Sequence, residues 1–344
     1  MHYQEVHMKM ITYLKKYFWD IFSIALFVLV FSVLLFKIPF HPPKFSPLEK
    51  AFKDFELSDI WFSKIKQRNS VLNDPYIRIV DVANLDRGQI GELINKLNRL
   101  NPKVIGLNVE FIGRKDPDKD SILIEAIQNS ENIVLSQSFE IDDNQKNLAI
   151  PLNGKVEGHN NLIARYNTTV RAFSPVEIIN GKEQFAFASL VANAFDKEAF
   201  NKLLSRNNKK EIINYSGNKD QFTAFKPNDV DSSDITGNIV LIGFCCAGCK
   251  VPILEDIHFT PLNPMYSGKS IPDMYGVVIH ANIVAMILKR QYINDAPFWV
   301  IIIIAFSVLF LYIKFVTPWF VVRSKHTWSH IVAKITQVAL SMIF

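Results

Sequence analysis

The hydrophobic positions divide the chain into a polar middle and two long apolar runs near its ends. The runs cover residues 18–36 and 298–316, and charged side chains are rare in both. A helix of about 20 apolar residues spans the hydrocarbon core of a bilayer, which is about 30 Å thick. The pattern therefore predicts transmembrane helices over residues 17–36 and 297–317.

Charges beside these runs predict which side of the membrane each part occupies. Basic residues lie before the first run and after the second, namely Lys9, Lys15, Lys16, Arg323, Lys325 and His326. Since basic flanks stay in the cytoplasm, residues 1–16 and the loop 318–327 are predicted to be cytoplasmic. Residues 37–296 are then extracytoplasmic, which indicates a protein of the bacterial inner (cytoplasmic) membrane with a periplasmic domain.

Other interpretations of the apolar runs remain open. A cleaved signal peptide needs small residues at its cut site, whereas Lys37-Ile-Pro-Phe-His-Pro-Pro follows the first run. A buried helix of a soluble protein is the second alternative. Residues 328–344 contain Lys334 and Gln337 and predict a partial third transmembrane helix or an interfacial helix. Because no polar flank follows this segment, we expect a fragment or an unusual terminus.

Short apolar runs with two different periods alternate through residues 37–296. Period-two or continuous runs predict strands over 76–83, 103–111, 133–136, 211–215 and 238–243. Spacings of three and four predict helices over 48–66, 89–100, 120–129, 185–195 and 275–288, and residues 140–182 predict loops with a hairpin. The alternation is typical of βαβ units. The fold class is therefore α/β, with a largely parallel or mixed sheet flanked by helices and inserted between transmembrane helices.

Composition and motifs argue against several functions. The chain has 344 residues and a formal charge of +5, an excess too small to indicate nucleic-acid binding. It has no G-x-S-x-G motif, and the segment 243–250 lacks the adjacent Gly-Lys of a phosphate-binding loop. We therefore expect no enzyme activity and no cofactor; a membrane enzyme with a hidden site is the least favoured alternative.

Acidic residues near the ends of predicted strands are the best candidates for a ligand-binding cleft. Ligands of open α/β sheets bind outside the carboxyl ends of parallel strands. The candidate ligand-binding residues are Asp81, Glu110, Asp118, Asp120, Arg171, Asp256 and His258. Loop solvation and helix capping by Asp118 or Asp120 are the competing explanation. A metal cluster of His258 and His280 with Glu110, Glu255 and Asp256 is a further alternative, but no metal-binding spacing supports it, and we predict no metal site.

The three cysteines lie together at Cys245, Cys246 and Cys249. An oxidising compartment permits a disulfide between Cys246 and Cys249, or between Cys245 and Cys249. Apolar packing after the strand is the alternative.

Nine segments in a fixed order resemble one family. They are IRIVDV (77–82), KVIGLNVEF (103–111), DPDKDSILIEAI (116–127), ENIVL (131–135), NTTVRAF (167–173), EIINYSG (211–217), GNIVLIG (237–243), DIHFTPLN (256–263) and YGVVIHAN (275–282). Their order and spacing resemble the CHASE2 family of extracytoplasmic sensory domains. Asn108 replaces a common aspartate of that family, and residues 167–171 lack its acidic-glycine pattern, so ligand chemistry does not transfer directly.

The resemblance implies a sensor flanked by membrane helices. Family members usually precede kinase or cyclase modules, and no such module follows in this sequence. We therefore expect a membrane-anchored protein that binds an unknown small molecule and signals through its own membrane helices, a partner protein or a homodimer. A structural or scaffold envelope protein without a small ligand is the alternative.

Overall fold

The computed structural model describes the chain in several stretches. They are residues 18–19, 22, 25–29, 59, 61–66, 74–82, 85–137, 154–163, 169–179, 181–247, 256–263, 271–294 and 296–316. Contacts divide the chain into two units, one comprising Ser46–Asn294 and the other Met1–Phe45 with Asp295–Phe344.

The larger unit alternates strands and helices along the chain. Its strands are β1 (Ile77–Asp81), β2 (Val104–Asn108), β3 (Ile133–Gln137), β4 (Val156–His159), β5 (Leu162–Ile163), β6 (Ala172–Phe173), β7 (Val176–Ile179), β8 (Lys182–Phe185), β9 (Glu211–Ile212), β10 (Thr223–Phe225), β11 (Ile239–Gly243), β12 (Ile257–His258) and β13 (Met274–Tyr275). Its α-helices are α1 (Arg87–Arg99), α2 (Pro117–Asn129), α3 (Phe187–Phe195), α4 (Lys197–Ser205), α5 (Ser232–Ile235) and α6 (Gly276–Lys289). Trp61–Lys66 forms a π-helix, and Lys219–Gln221 and Pro227–Asp229 form 3₁₀ turns.

A six-stranded sheet forms the centre of this unit. Its order is β10-β1-β11-β2-β3-β4, and every neighbouring pair is parallel. Small antiparallel pairings, β12 with β13, β7 with β8, and β5 with β6 and β9, lie outside it. The α/β class with a parallel sheet is therefore confirmed, and β7–β8 is a hairpin at the end of the segment predicted to hold one.

Helices cover both faces of the sheet because its strands are apolar on both sides. On one face α1 and α2 pack against a cluster that includes Val80, Ile105 and Ile242. On the other face α3 and α6 pack against a cluster that includes Ile79, Val134 and Leu241. Successive side chains of a strand point to opposite faces, so each strand contributes to both cores.

Local capping sets the starts of the two helices on the first face. Asp86 and Gln89 form a capping box at α1, and Asp116 accepts the amides of Asp118 and Lys119 at α2, where Pro117 occupies the first turn. Both helices therefore begin two or three residues earlier than the hydrophobic spacing predicts. The cap of α2 is Asp116, and not Asp118 or Asp120.

Several elements differ from the sequence predictions, among them the edge strand β4, which lies in the segment predicted to hold loops with a hairpin. The strand predicted over 211–215 ends at Ile212, because the residues after it bond to α6 instead. Helix α4 and strand β10 were not predicted. The signal for α4 was present, since Asp196 caps it and Ala199, Phe200 and Leu203 form a buried face.

The smaller unit contains helix α7 (Phe298–Leu311), which continues as a π-helix over Tyr312–Val316. Phe18 and Phe22 contact Phe310 and Phe306, with ring centroids 5.6 and 5.3 Å apart. No residue of α7 is buried. Within the stretches that the structure describes, no helix is both long enough and apolar enough to cross a membrane. The spans predicted over 17–36 and 297–317 are described only in part and stay predictions, and residues 328–344 lie outside the described residues.

Candidate functional site

The carboxyl ends of the parallel strands lie at one edge of the sheet, which is where ligands of open α/β sheets bind. The register places Asp81 opposite Gly243, and Gly243 opposite Asn108. On the other side of β2, the ends of β3 and β4 bring Gln137 opposite His159. This edge is therefore the candidate site, and Asp81 lies within it as the sequence predicts.

Asp81 uses its carboxylate to hold the turn after β11. The amides of Cys245 and Ala247 donate to its two oxygens, at 3.1 and 2.6 Å. Cys246, between them, has φ of 53°, a left-handed conformation that is unusual for a residue with a Cβ. Asp81 thereby provides the acceptors that this tight turn needs.

Asp120 is buried in an ion pair rather than exposed in a cleft. Arg87 Nη1 donates to its Oδ1 at 2.8 Å, and the Lys115 amide donates to Oδ2 at 2.9 Å. Arg87 also donates to the carbonyls of Ile112 and Gly113. The hydrogen bond from Arg87 lowers the pKa of Asp120. The pair fixes the loop between β2 and α2.

Glu110 and Asp118 are exposed. Asn160 Nδ2 donates to Glu110 Oε1 at 2.9 Å, so this carboxylate connects the residues that follow β2 and β4. Asp118 lies in the first turn of α2, where its negative charge favours the helix N-terminus. Of these two acids, Glu110 is the one tied to the carboxyl edge.

Arg171 forms a two-pronged ion pair with Asp59. Its Nε and Nη2 donate to the two carboxylate oxygens, at 3.0 and 2.6 Å. Asp59 lies two residues before the start of the π-helix Trp61–Lys66. Arg171 therefore anchors the segment that leads into the larger unit from the first apolar run.

Asp256 and His258 are brought together beside the start of α6. His258 Nε2 lies 3.1 Å from Asp256 Oδ1, and the Gly276 amide donates to the Asp256 carbonyl at 3.0 Å. A Cβ at Gly276 would lie only 2.6 Å from Asp256 Oδ2, so glycine is required for this close approach.

Four buried polar side chains near the end of β4 have atoms with no hydrogen-bond partner. They are Ser136 Oγ, both ring nitrogens of His159, Ser189 Oγ and His280 Nδ1. His280 interacts electrostatically with His159, His258 and Asp256. Burial lowers the pKa of His159, and lowers that of His280 to about 4. Both imidazoles are therefore neutral at pH 7.

The sequence pattern marks His280 as an alternative metal ligand or a core histidine, and it does not mark the other three residues. A histidine in an apolar helix was a signal for His280, but no spacing marks Ser136, His159 or Ser189. Glu255, a further member of the metal alternative, lies outside the described residues. Among the residues that are described, no group of three or more His, Cys, Asp or Glu side chains could hold a metal ion.

Two cysteines of the turn after β11 are described. Cys245 is a free, buried thiol, and burial raises its pKa to about 12. Cys246 is disulfide-bonded. Cys249 lies outside the described residues, and the Cys246–Cys249 pairing stays a prediction.

Asp81→Asn is expected to lower the free energy of unfolding by roughly 1–3 kcal/mol, because one buried amide of the turn loses its acceptor. Chemical denaturation followed by circular dichroism measures this change. Glu110→Gln is the control, since its exposed side chain should alter stability by at most about 0.5 kcal/mol. Equal effects of the two substitutions would contradict the structural role of Asp81.

His280→Leu should make the protein less sensitive to acid. The folded pKa of about 4 lies below the unfolded value of about 6.5, so the unfolded chain binds a proton first as the pH falls. His280 therefore removes stability as the pH drops from about 6.5 towards 4, by about 1.4 kcal/mol per pH unit at most.

The variant is compared with its parent, so that the pH dependence of stability contributed by Asp273 cancels in the difference. Burial raises the pKa of Asp273 to about 6, which removes stability as the pH rises and opposes the contribution of His280. As the pH falls, the unfolding free energy of the His280→Leu variant should rise relative to that of the parent. A difference that stays constant between about pH 6.5 and 4.5 would show that His280 does not titrate as inferred.

Comparison with protein families gives one match. The model of the CHASE2 domain matches residues 28–313, which is most of the chain. The comparisons with curated proteins and with solved structures returned no match.

Proposed function

Since the chain belongs to the CHASE2 domain family, we propose that it is a membrane-anchored sensor that transmits ligand binding to its membrane-proximal segments. CHASE2 domains are extracytoplasmic sensory domains, which fits a periplasmic position for the larger unit. The family's general role does not specify how a signal passes through this chain, and we propose such a route.

The observation that carries the proposal is a bridge made by Asn214. Lys66 Nζ donates to Asn214 Oδ1, and Asn214 Nδ2 donates to the carbonyl of Gln291 at 2.8 Å. Lys66 ends the segment that follows the first apolar run, and Gln291 begins the segment that precedes the second. One amide side chain thus holds the two ends of the larger unit together.

The environment of this bridge reduces the stabilisation of the Lys66 ammonium group. Burial and the nearby charge of Lys289 lower the pKa of Lys66 to about 8. Lys289 is in turn paired with the buried carboxylate of Asp74 at 2.6 Å. A partly desolvated cation loses much of its stabilisation if its acceptor moves, so a small displacement of Asn214 would loosen the N-terminal segment at Lys66, while the Arg171–Asp59 pair still holds its start.

The apolar runs supply the proposed anchor. Helix α7 exposes Phe298, Trp299, Ile301, Ile303 and Ile304. A helix that is apolar on all sides and exposed is stabilised by lipid or by another apolar surface. With the basic flanks this supports two membrane helices, with the N-terminus in the cytoplasm and the larger unit in the periplasm. We propose that the output passes to a partner protein or to a second copy through these helices.

Labelling of single cysteines tests this topology. Cysteines introduced at Ser46 and Asp295 should react with a membrane-impermeant maleimide added to spheroplasts, because both positions flank the periplasmic unit. The parent chain is the control for reaction at its own cysteines. Labelling of the two positions only after the cytoplasmic side is opened would refute the orientation.

Asn214→Ala should free the N-terminal segment without unfolding the domain. Loss of a hydrogen bond to a charged group should increase local opening roughly ten-fold or more. Tryptic cleavage after Lys66, measured on the full chain in detergent, should accelerate accordingly. Asn208→Ala is a matched control, because Asn208 likewise bonds to a charged group, donating to Glu211 at 3.0 Å in a part-buried hydrogen bond that does not involve Lys66. Equal cleavage rates in both variants and the parent would contradict the bridge.

A further inference from the structure

The first turn of α3 lies at the end of β4 without a side-chain cap. Its N-cap residue is Ala186, which makes no side-chain capping bond, and the helix has 9 residues. The backbone of His159 forms an isolated parallel bridge with Ala186. The first amides of a helix point outward and carry a partial positive charge, which favours a negatively charged group. This helix terminus alone does not define a site.

The four buried polar residues described above surround this turn. Ser189 lies within the turn and is 0% exposed, and His159 is 1% exposed. The ring of His280 packs edge-on against Phe187, with centroids 5.2 Å apart. Ser136 pairs with Gly158, where a Cβ would lie 2.7 Å from the Phe187 amide nitrogen. His159, Ser189 and His280 thus lie at the start of α3, and Ser136 lies opposite Gly158, which faces this turn.

Unpaired polar atoms in such a place require an explanation. A buried hydroxyl or imidazole nitrogen without a partner destabilises a fold by roughly 1–3 kcal/mol, and native structures contain few of them. Here they concentrate at one helix terminus on the carboxyl edge of the sheet. Groups that are unsatisfied within the protein are suited to bind a ligand that satisfies them.

We propose that the first turn of α3, with Ser136, Ser189 and His159, binds a small ligand through a carboxylate group. Two hydroxyls and the helix amides donate hydrogen bonds to the oxygens of an anion, and His159 borders the site. The burial of these groups limits the ligand's anionic end to a small group. His280 lines the site from α6.

The neighbouring charges favour a carboxylate over a divalent anion. Glu177 interacts with His159, and Asn161 Nδ2 donates to Glu177 at 3.0 Å. Asp256, on the other side, interacts with His280 and is paired with His258. Two nearby carboxylates repel a dianion such as phosphate more strongly than a singly charged group. That this ligand is the signal of the sensor rests on the proposed function. That the ligand binds at this site does not rest on it.

Thermal unfolding of the full chain in detergent tests the site with sodium acetate as the probe. Acetate should raise the unfolding midpoint in a saturable manner at pH 7, relative to sodium chloride of equal ionic strength. Ser189→Ala and Ser136→Ala should each weaken acetate binding roughly ten-fold. Without acetate neither variant should be less stable than the parent, because each substitution removes an unpaired hydroxyl. Ser205→Ala, an exposed serine of α4, should bind acetate like the parent.

Several results would overturn the proposal. No saturable effect of acetate would mean that ordered water alone satisfies these groups, and an effect retained in both serine variants would place the anion elsewhere. A stronger effect of inorganic phosphate than of acetate would refute the carboxylate class. Acetate binding that leaves tryptic cleavage after Lys66 unchanged would preserve the site and contradict the proposed function.

Discussion

The burial of helix α6 is the constraint on which the rest of the larger unit depends. Every residue from Gly276 to Ile287 is buried. Such a helix cannot face water on any side, so the sheet, α3 and the chain around residues 213–217 must all pack against it. Its one amide side chain, Asn282, is fully satisfied. Ser216 and Gly217 amides donate to its Oδ1, and its Nδ2 donates to the carbonyls of Gly217 and Val278.

This helix connects the carboxyl edge of the sheet to the segments that lie next to the two apolar runs in the sequence. His280 lies near its start, beside the first turn of α3. Asn282 follows two residues later and holds the turn at Ser216. The same stretch of chain then places Asn214 between Lys66 and Gln291, with its amide 3.3 Å from Met286 Sδ. Because packed cores have discrete arrangements, the proposed function requires that a small displacement of α6 be passed on to Asn214 rather than absorbed locally.

The sequence was sufficient for the α/β class and for the four central strands of the sheet, because both faces of the sheet are covered. A short stretch of sequence is enough to recognise a strand that is apolar on both sides or a helix with an apolar stripe. Ile77–Asp81 and Arg87–Arg99 are examples. The residues after Ile213 look like a continuation of β9, yet the amides of Asn214, Ser216 and Gly217 bond to side chains of α6. A preference for extended backbone cannot distinguish these two partners, which are distant in sequence.

The candidate site was predictable only in part. The rule that strand ends carry ligands pointed to the edge of the sheet at which Asp81 lies. It did not show that Asp81 already accepts two backbone amides, or that Asp120 is paired with an arginine from the preceding helix. His159 and Ser189 gave no signal at all, because their relevance comes from burial without a partner, which depends on tertiary packing.

Hydrogen–deuterium exchange of the full chain, with and without acetate, tests most directly whether α6 couples the two regions. The account predicts that acetate alters exchange both at residues 186–190 and in the segments 61–66 and 213–217, and that Ser189→Ala abolishes both changes. A change confined to residues 186–190 would contradict the coupling through α6.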